Sequence, residues 1–320
     1  MDTRTDLTRF AENIQALKSQ ISQIIVGQEQ AVDLVLTAIL ADGHVLIEGV
    51  PGVAKTLLAR LVSRLVDARF SRIQFTPDLM PSDVLGTTVF NVKTSDFDFH
   101  QGPVFANVVL VDEINRAPAK TQAALFEVME ERQVTIDGVT RRMETLYTIL
   151  ATQNPVEQEG TYRLPEAQLD RFLMKITMGY PSVDDEVEVL LRHQQHAAFT
   201  RLDNIRPVIT RDEILQLRSL MDSVMVEESL LRYIAEKVSQ TRNSRAVQLG
   251  ASPRASVSIL QTSKAYALLQ GRDFVTPDDI KTLAPHVLHH RLILTAEAEM
   301  EGYTPMKVAQ RLIDKVEVPK

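Results

Sequence analysis

The pattern of apolar and polar residues changes character once along the chain, near residue 180. Before that point, continuous apolar runs such as Val45–Ile47, Val108–Val111 and Thr148–Ala151 predict strands that are buried on both faces. Helical patterns lie between these runs, so we expect a parallel sheet flanked by helices. From Tyr180 onward the strand signal stops, and the apolar spacing predicts helices only.

The predicted elements divide the chain into an α/β domain over residues 1–180 and an all-helical lid domain over residues 181–320. In the first domain, helices are expected near 6–24, 28–41 and 55–66, and strands at 44–48, 71–75, 108–111, 148–151 and 173–178. In the second domain, helices are expected at 183–199, 211–221, 227–241, 253–270, 277–288 and 304–315.

Two stretches of the first domain do not fit the alternation of strands and helices. Residues 87–92 and 97–99 each alternate apolar and polar positions around a polar turn. Residues 133–136 and 139–143 flank Asp137-Gly138, a pair that favours a type I′ turn. We therefore expect two β-hairpins inserted into the α/β domain.

Composition and charge narrow the possible function classes. The chain has 320 residues, 44% hydrophobic and 24% charged, which is ordinary for a globular protein with two cores. A net charge of −7 gives no broad surface for nucleic acid, so nucleic-acid binding is not expected. Cysteine is absent, which excludes disulfides and thiolate chemistry. No signal-peptide or membrane-span pattern is present, so we expect a cytoplasmic protein.

A glycine-containing turn follows the first predicted strand and precedes a helix. Its residues are Gly49, Val50, Pro51, Gly52, Val53, Ala54, Lys55 and Thr56, with Leu57 continuing the helix. Such a turn directs backbone N–H groups at phosphate oxygens above a helix N-terminus. Lys55 would reach the β- and γ-phosphates, and the Thr56 hydroxyl would ligate Mg²⁺. Residues 49–56 fit the pattern of the phosphate-binding P-loop, except that Ala54 stands where the general P-loop has its second Gly. We expect Ala54 to keep a negative φ.

An acidic pair closes the apolar strand that begins at Val108. Asp112 would complete the Mg²⁺ site with Thr56, and Glu113 would orient a water molecule for attack on the γ-phosphorus. Taken alone, the pair equally fits a solvated end of a strand. However, the pair ends a strand that we expect to run parallel to the strand before the P-loop. This combination with the P-loop favours the catalytic interpretation.

Three further polar residues are candidates for contacts with phosphate. Asn154 follows the next apolar strand and could hydrogen-bond the γ-phosphate or the attacking water, although Asn-Pro also starts turns. Arg171 is either a surface charge or an arginine finger for a neighbouring subunit. Arg254 lies in the first turn of a predicted helix, where a cation opposes the helix dipole, so we infer a phosphate partner.

The ordered set of motifs resembles the MoxR family of AAA+ ATPases. The segments that carry the resemblance are Gly49–Thr56, Val109–Arg116, Ala151–Pro155, Leu164–Phe172 and Ser252–Ala255. The resemblance implies a P-loop AAA+ core with a five-stranded parallel sheet, two inserted hairpins and a helical lid. It also makes Ala54 the usual residue of this P-loop.

The resemblance implies roles for individual residues. Asn154 matches the sensor-1 position, Arg171 the arginine finger acting in trans, and Arg254 the sensor-2 arginine. Val26-Gly27 is similar to the segment that contacts adenine in AAA+ proteins. The residues expected to bind ATP or ADP are therefore Val26, Gly27, Gly49, Val50, Pro51, Gly52, Val53, Ala54, Lys55, Thr56 and Leu57.

The resemblance also implies a function, namely ATP-driven, chaperone-like remodelling or maturation of partner protein complexes. Partners with a von Willebrand factor A domain and a hexameric ring are typical of the family. Two alternatives stay open: a nucleic-acid motor of the MCM type, favoured only by Arg141-Arg142, and the motor subunit of a metal chelatase. His289-His290 are interpreted as ordinary surface histidines, because neighbouring residues on a helix point in different directions.

Overall fold

The computed structural model describes residues 3–154, 162, 164–194 and 205–318. Up to residue 178 the elements are α1 (Thr3–Ser22), α2 (Glu29–Leu40), β1 (Val45–Gly49), α3 (Lys55–Leu65), β2 (Phe70–Gln74), α4 (Pro81–Leu85), β3 (Gly86–Asn91), β4 (Asp96–Gln101), β5 (Val108–Asp112), α5 (Ala119–Glu131), β6 (Gln133–Ile136), β7 (Val139–Arg142), β8 (Thr148–Gln153), α6 (Glu166–Leu169) and β9 (Met174–Met178). They continue with α7 (Val183–Gln194), α8 (Arg211–Leu220), α9 (Glu228–Arg242), β10 (Val247–Leu249), α10 (Pro253–Leu269), α11 (Pro277–Leu288), β11 (Ile293–Leu294), α12 (Ala296–Met300) and α13 (Pro305–Asp314).

A five-stranded parallel sheet in the order β2-β5-β8-β1-β9 forms the centre of the molecule. The predicted α/β fold with five parallel strands is therefore confirmed. Because all five strands run the same way, their carboxyl ends lie at one edge of the sheet. The glycine-containing turn after β1 and the acidic pair at the end of β5 therefore both lie at that edge.

Successive residues of the central strands pack into two different apolar cores. On β1, Val45 and Ile47 face one core and Leu46 faces the other. The same alternation holds on β5, where Val108 and Leu110 face the first core. Helices α1, α2 and α3 cover the first core, and α5 covers the second. Burial on both faces explains why these strands are continuous apolar runs in the sequence.

Both expected hairpins are present, one formed by β3 and β4 and the other by β6 and β7. Asp137 and Gly138 have φ of 51° and 76°, as a type I′ turn requires. The guanidinium carbon of Arg141 lies 3.8 Å from the centre of the Phe99 ring. A cation–π contact therefore joins the second hairpin to the first.

The region after residue 181 is mainly helical, as predicted, but it also contains a small antiparallel sheet of β10 and β11. These strands were not predicted, because two or three residues are too few to show a period of two. Thr210 caps the N-terminus of α8 and Thr276 caps the N-terminus of α11, each through its side-chain oxygen. Residues 195–199, which were expected to continue α7, lie outside the described residues.

The prediction that His289 and His290 are surface histidines was wrong. Both lie in a 3₁₀ turn after α11 that packs against β9, and His289 is only 5% exposed. The His290 Nε2 atom lies 3.2 Å from the carbonyl oxygen of Phe172. Burial lowers the pKa of His289 to about 3 and also lowers the pKa of His290.

The helical region shares its core with the helices of the α/β region. Phe10 and Leu17 of α1 and Val35 of α2 belong to the same apolar core as Ile259 of α10 and Leu283 of α11. The boundary predicted at residue 180 therefore separates two parts of the chain that pack together over a continuous apolar core. Within the described residues, no helix has both the length and the apolar character needed to cross a bilayer.

Candidate functional site

The P-loop connects β1 to α3 at the carboxyl edge of the sheet. Gly52 takes φ of +92°, and α3 begins at Lys55 directly after the turn. Lys55 donates from Nζ to the carbonyl oxygen of Gly49, so its ammonium lies back over the loop. Pro51 and Gly52 are exposed at the tip, where a ligand can reach them. The turn thus has the form of a phosphate-binding loop above a helix N-terminus.

The expectation of a negative φ at Ala54 was wrong. Ala54 lies in the left-handed region with φ of +64° and ψ of 22°, and its carbonyl oxygen accepts the first helical hydrogen bond from Leu58 N at 2.9 Å. A residue with a Cβ pays about 1–2 kcal/mol for this conformation. The turn from β1 into α3 needs a left-handed residue at this point, and Ala54 adopts it at that cost.

Asp112 ends β5 and is held from two sides. Its Oδ2 accepts a hydrogen bond from Arg72 Nε at 2.6 Å, and its Oδ1 accepts one from Thr152 Oγ1 at 3.2 Å. The Thr152 hydroxyl also accepts a hydrogen bond from the backbone N–H of Glu113 at 3.0 Å. Thr152 of β8 therefore fixes both residues of the acidic pair through one oxygen atom.

Glu113 occupies a strained turn beside this strand end. Its φ is 56°, and its Oε2 atom accepts a hydrogen bond from Arg116 at 2.7 Å. Non-glycine residues in this backbone region are uncommon and cluster at functional sites. Both side chains are partly exposed, so the Glu113–Arg116 ion pair can open at little cost.

Electrostatics tie Lys55 to the acidic pair. Burial lowers the pKa of the Lys55 ammonium, whereas the charges of Asp112, Glu113 and Glu48 raise it. Glu48 lies one residue before the end of β1 and forms an ion pair with Lys175 at 2.7 Å. Lys55 thus stands in the field of three carboxylates, two of which belong to the predicted site.

A cavity of about 350 Å³ lies beside the P-loop. Its lining is largely apolar and consists of Ile24, Ile25, Val26, Gln28, Gly52, Val53, Ala54, Leu57, Pro181, Glu186, Val189 and Leu190. Gly27 is packed closely against the side chain of Asp185 at the start of α7. An apolar cavity next to a phosphate loop suits a flat, uncharged base.

Asn154 follows the last residue of β8 at the same edge of the sheet. β8 lies between β5 and β1, and Gln153 is in register with Glu48. Asn154 therefore stands at the height of the P-loop, between the strand of Asp112 and the strand of Gly49. Pro155, the last residue of this motif, lies outside the described residues.

Arg171 and Arg254 lie together, and neither lines the cavity beside the P-loop. Arg171 pairs with Glu130 at 2.9 Å, and Arg254 approaches the other oxygen of Glu130 at 4.0 Å. Both arginines line a second cavity of about 220 Å³. The structure thus brings the two arginines together but does not bring them to Lys55 of the same chain.

Arg291 supports the segment that carries Arg171. It donates from Nε to Asp170 Oδ1 at 2.6 Å and from NH2 to the carbonyl oxygen of Phe172 at 2.7 Å. It also reaches the carbonyl oxygen of Leu173 at 3.2 Å. A residue of the lid region therefore fixes the backbone on both sides of Arg171.

Several of these residues have no sequence signal of their own. Arg72, Thr152, Glu130 and Arg291 lie far along the chain from the groups that they contact, so no local pattern identifies them. Arg116 is different, because its spacing of three residues from Glu113 would have allowed the ion pair to be expected.

The donor set fits a hard divalent cation bound together with phosphate. Thr56 offers a hydroxyl oxygen and Asp112 a carboxylate oxygen, which are ligands that Mg²⁺ prefers. Among the described residues, no group of three or more His, Asp or Glu side chains forms a metal site. Mg²⁺ usually takes one or two protein ligands and completes its shell with water and substrate phosphates.

Family models match most of these elements. A model described as an ATPase family associated with various cellular activities (AAA) matches residues 44–174. A model of an AAA lid domain matches residues 239–314. The first covers the P-loop and the acidic strand, and the second covers the helices that carry Arg254 and Arg291.

Proteins of similar sequence and structure cover nearly the whole chain. The uncharacterized protein YeaC of Bacillus subtilis is 47% identical over 93% of this chain and 92% of its own length. A crystal structure of a proposed ATPase from Cytophaga hutchinsonii has a TM-score of 0.90 at 40% identity, covering 99% of this chain and 98% of that one. Chaperone MoxR1 of Mycobacterium tuberculosis is 44% identical over 94% of this chain and 81% of its own length. Together with the two domain models, this similarity shows that the chain belongs to the MoxR family of AAA+ ATPases.

Proposed function

We propose that this protein is a Mg²⁺-dependent ATPase that hydrolyses ATP at the interfaces between its subunits and thereby remodels or matures partner protein complexes. The observation that carries the proposal is the common position of the P-loop and the acidic pair at one edge of the sheet. Lys55 lies there in the field of Asp112 and Glu113. An ammonium, a hydroxyl and two carboxylates form the set of groups that phosphoryl transfer to water requires.

Each residue has a distinct role in the proposed reaction. The P-loop N–H groups and Lys55 would hold the phosphates, while Thr56 and Asp112 would hold Mg²⁺, which supplies charge neutralisation on the phosphate oxygens. Glu113 would orient and polarise the attacking water after it leaves Arg116. Asn154 would hydrogen-bond the γ-phosphate or that water. The apolar cavity that includes Val26 would take the adenine.

The position of the two arginines supports catalysis between subunits. Arg171 and Arg254 pair with Glu130 in a cavity that shares none of the described residues with the one beside the P-loop. The charges that act on Lys55 come from carboxylates and not from either arginine. An arginine finger supplied by a second copy resolves this separation. We therefore infer a closed homo-oligomer, and the family resemblance favours a hexamer.

The proposed cellular role rests on the family. One relative, 44% identical, is named a chaperone, which supports action on other proteins. A partner with a von Willebrand factor A domain and a location in the cytoplasm are further parts of the proposal. Copurification from cells with a Glu113→Gln variant, which should hold ATP and its client, would test the partner directly.

A phosphate-release assay on mixed subunits tests the catalytic proposal. Glu113→Gln and Arg171→Ala should each bind ATP and lose activity by about 100-fold or more. An equal mixture of the two variants should regain part of the activity, because an intact Arg171 on one subunit can serve an intact Glu113 on the next. Lys55→Ala is the control that should not bind ATP. Absence of recovery in a proven mixed assembly would contradict the trans role.

The alternative of a nucleic-acid motor has less support in the structure than in the sequence. Of the two arginines that suggested it, Arg141 is stacked on Phe99 and also donates to the carbonyl oxygen of Val139 at 3.2 Å. Arg142 alone offers little attraction for a phosphate backbone. Measurable DNA binding at low salt that weakens steeply with added salt would reopen this alternative.

A further inference from the structure

Glu130 occupies a special position between the two arginines. It lies in the last turn of α5, where its Oε2 faces Arg171 and its Oε1 faces Arg254. The two arginines come from distant parts of the chain, one from the segment before β9 and the other from α10. Within the described part of the chain, Glu130 is the only carboxylate within 4 Å of either guanidinium.

The arrangement has the form of an anion site that is filled by the protein itself. Two guanidinium groups converge on one two-oxygen anion, which is how paired arginines also bind a phosphate. The side chains of Arg171, Arg254 and Glu130 are 31%, 54% and 41% exposed. An exposed ion pair of this kind is weak and can exchange its anion.

Exchange requires a movement of side chains only. The backbone on both sides of Arg171 is fixed by Arg291, through Asp170 on one side and Phe172 on the other. The guanidinium of Arg171 also lies over the ring of Phe126, at 5.8 Å from its centre. Arg171 can therefore turn away from Glu130 while its segment stays in place.

We propose that Glu130 fills, in the free subunit, the anion position that the γ-phosphate of ATP on a second copy takes in the assembly. This inference rests on the proposed trans role of Arg171. Glu130 keeps the two arginines convergent and competes with the incoming phosphate, so it is a positioning residue that limits assembly. Without its charge, Arg171 and Arg254 lack an internal counter-ion and attract the ATP-loaded neighbour more strongly.

The test measures assembly in the Glu113→Gln background, where ATP is bound and not consumed. Sedimentation with ATP and Mg²⁺ gives the protein concentration at which half of the chains are assembled. Glu130→Gln should lower this concentration about threefold, the size expected for one exposed ion pair. The matched control is Glu131→Gln, because Glu131 is exposed, follows directly in α5 and makes no ion pair within the described residues. It should leave the concentration unchanged.

Two additional measurements separate competition from a structural effect. The gain from Glu130→Gln should shrink as salt is raised, since screening weakens the competing charge. It should vanish when Arg171→Ala is present in the same chain. An equal or higher assembly concentration for Glu130→Gln, with its thermal unfolding unchanged, would overturn the inference. Failure of the parent Glu113→Gln chain to assemble with ATP would instead remove the proposed function.

Discussion

Arg291 Nε lies 2.6 Å from Oδ1 of Asp170, so a residue of the lid region holds the residue that precedes Arg171. The Arg291 side chain is only 3% exposed and also donates to three main-chain carbonyl groups of the segment before β9. Arg presents five donors spread over a rigid planar fork, whereas Lys presents three donors on one compact ammonium, so Lys cannot span the same set of acceptors. The lid and the proposed arginine finger therefore form one mechanical unit.

Arg291→Lys should break that unit while keeping the positive charge. We expect a loss of about 2 kcal/mol in the free energy of unfolding, because buried carbonyl groups lose their donors. ATP turnover should fall while ATP binding is kept, since Arg171 loses its fixed backbone. Urea unfolding, phosphate release and a nucleotide-binding titration check the three parts. Arg272→Lys is the control, because Arg272 holds Asp279 within the lid and should affect stability only.

Substitution by Val should have different effects on stability at two threonines of β8. Thr152→Val removes the hydroxyl that bridges Asp112 and the N–H of Glu113, so unfolding should become easier by about 1–3 kcal/mol and hydrolysis should fall. Thr148 is fully buried, and its hydroxyl has no hydrogen-bond partner among the described residues. Thr148→Val should therefore be neutral or stabilising. Equal effects of the two substitutions in urea unfolding would contradict these assignments.

The left-handed backbone at Ala54 predicts a stabilising substitution. Ala54→Gly should raise the free energy of unfolding by about 0.5–1 kcal/mol, because Gly adopts φ of +64° without strain. Gly52→Ala is the opposite test, since it places a Cβ at φ of +92° and should destabilise by a similar amount. Thermal unfolding without nucleotide measures both. A lower midpoint for Ala54→Gly would show that the strain assignment is wrong.

We expect the folded protein to lose stability in weak acid, because some of its histidines are buried. Burial lowers the pKa of His44 and of His289 to about 3, below the ordinary value of 6.5. The unfolded chain therefore binds more protons between these values, so stability is full above pH 6.5 and falls as the pH drops. Between pH 6.5 and pH 5, each of these histidines should lower the free energy of unfolding by about 2 kcal/mol. His289→Gln should make urea unfolding less dependent on pH than in the parent, and an identical dependence would contradict the prediction.

The contact between Arg141 and Phe99 predicts coupling of the two hairpins. Arg141→Gln should speed amide hydrogen exchange in β3 and β4, because the cation–π contact contributes about 0.5–1 kcal/mol at a partly exposed site. Arg142→Gln provides the matched control, because Arg142 is exposed and makes no such contact with any residue that the structure describes. Exchange in β3 and β4 that responds equally to both substitutions would argue against a joined pair of hairpins.

Much of the candidate site follows from the sequence because parallel strands place their carboxyl ends at one edge. The apolar runs before Gly49, Asp112 and Asn154 were enough to bring these residues to the same edge of the sheet. The hairpin around Asp137-Gly138 was predictable for a local reason, since the turn chemistry specifies the strand pairing.

The remaining features depend on packing between distant segments. Glu130 is one of several charged residues at the end of α5, and only the tertiary structure places it between Arg171 and Arg254. Ala54 adopts its conformation because the loop on both sides requires it, against the preference of the residue itself. His289 is buried because β9 passes beside the 3₁₀ turn, a contact that helical periodicity does not reveal.

The apolar core that α1 and α2 share with α10 and α11 also limits how the molecule can change shape. Side chains that interdigitate across such a contact cannot open like a hinge without exposing the core to water. They can slide past one another by about 1–2 Å, the shear motion of packed helices. We therefore expect nucleotide to drive small sliding displacements in each subunit, which an assembly accumulates from one copy to the next.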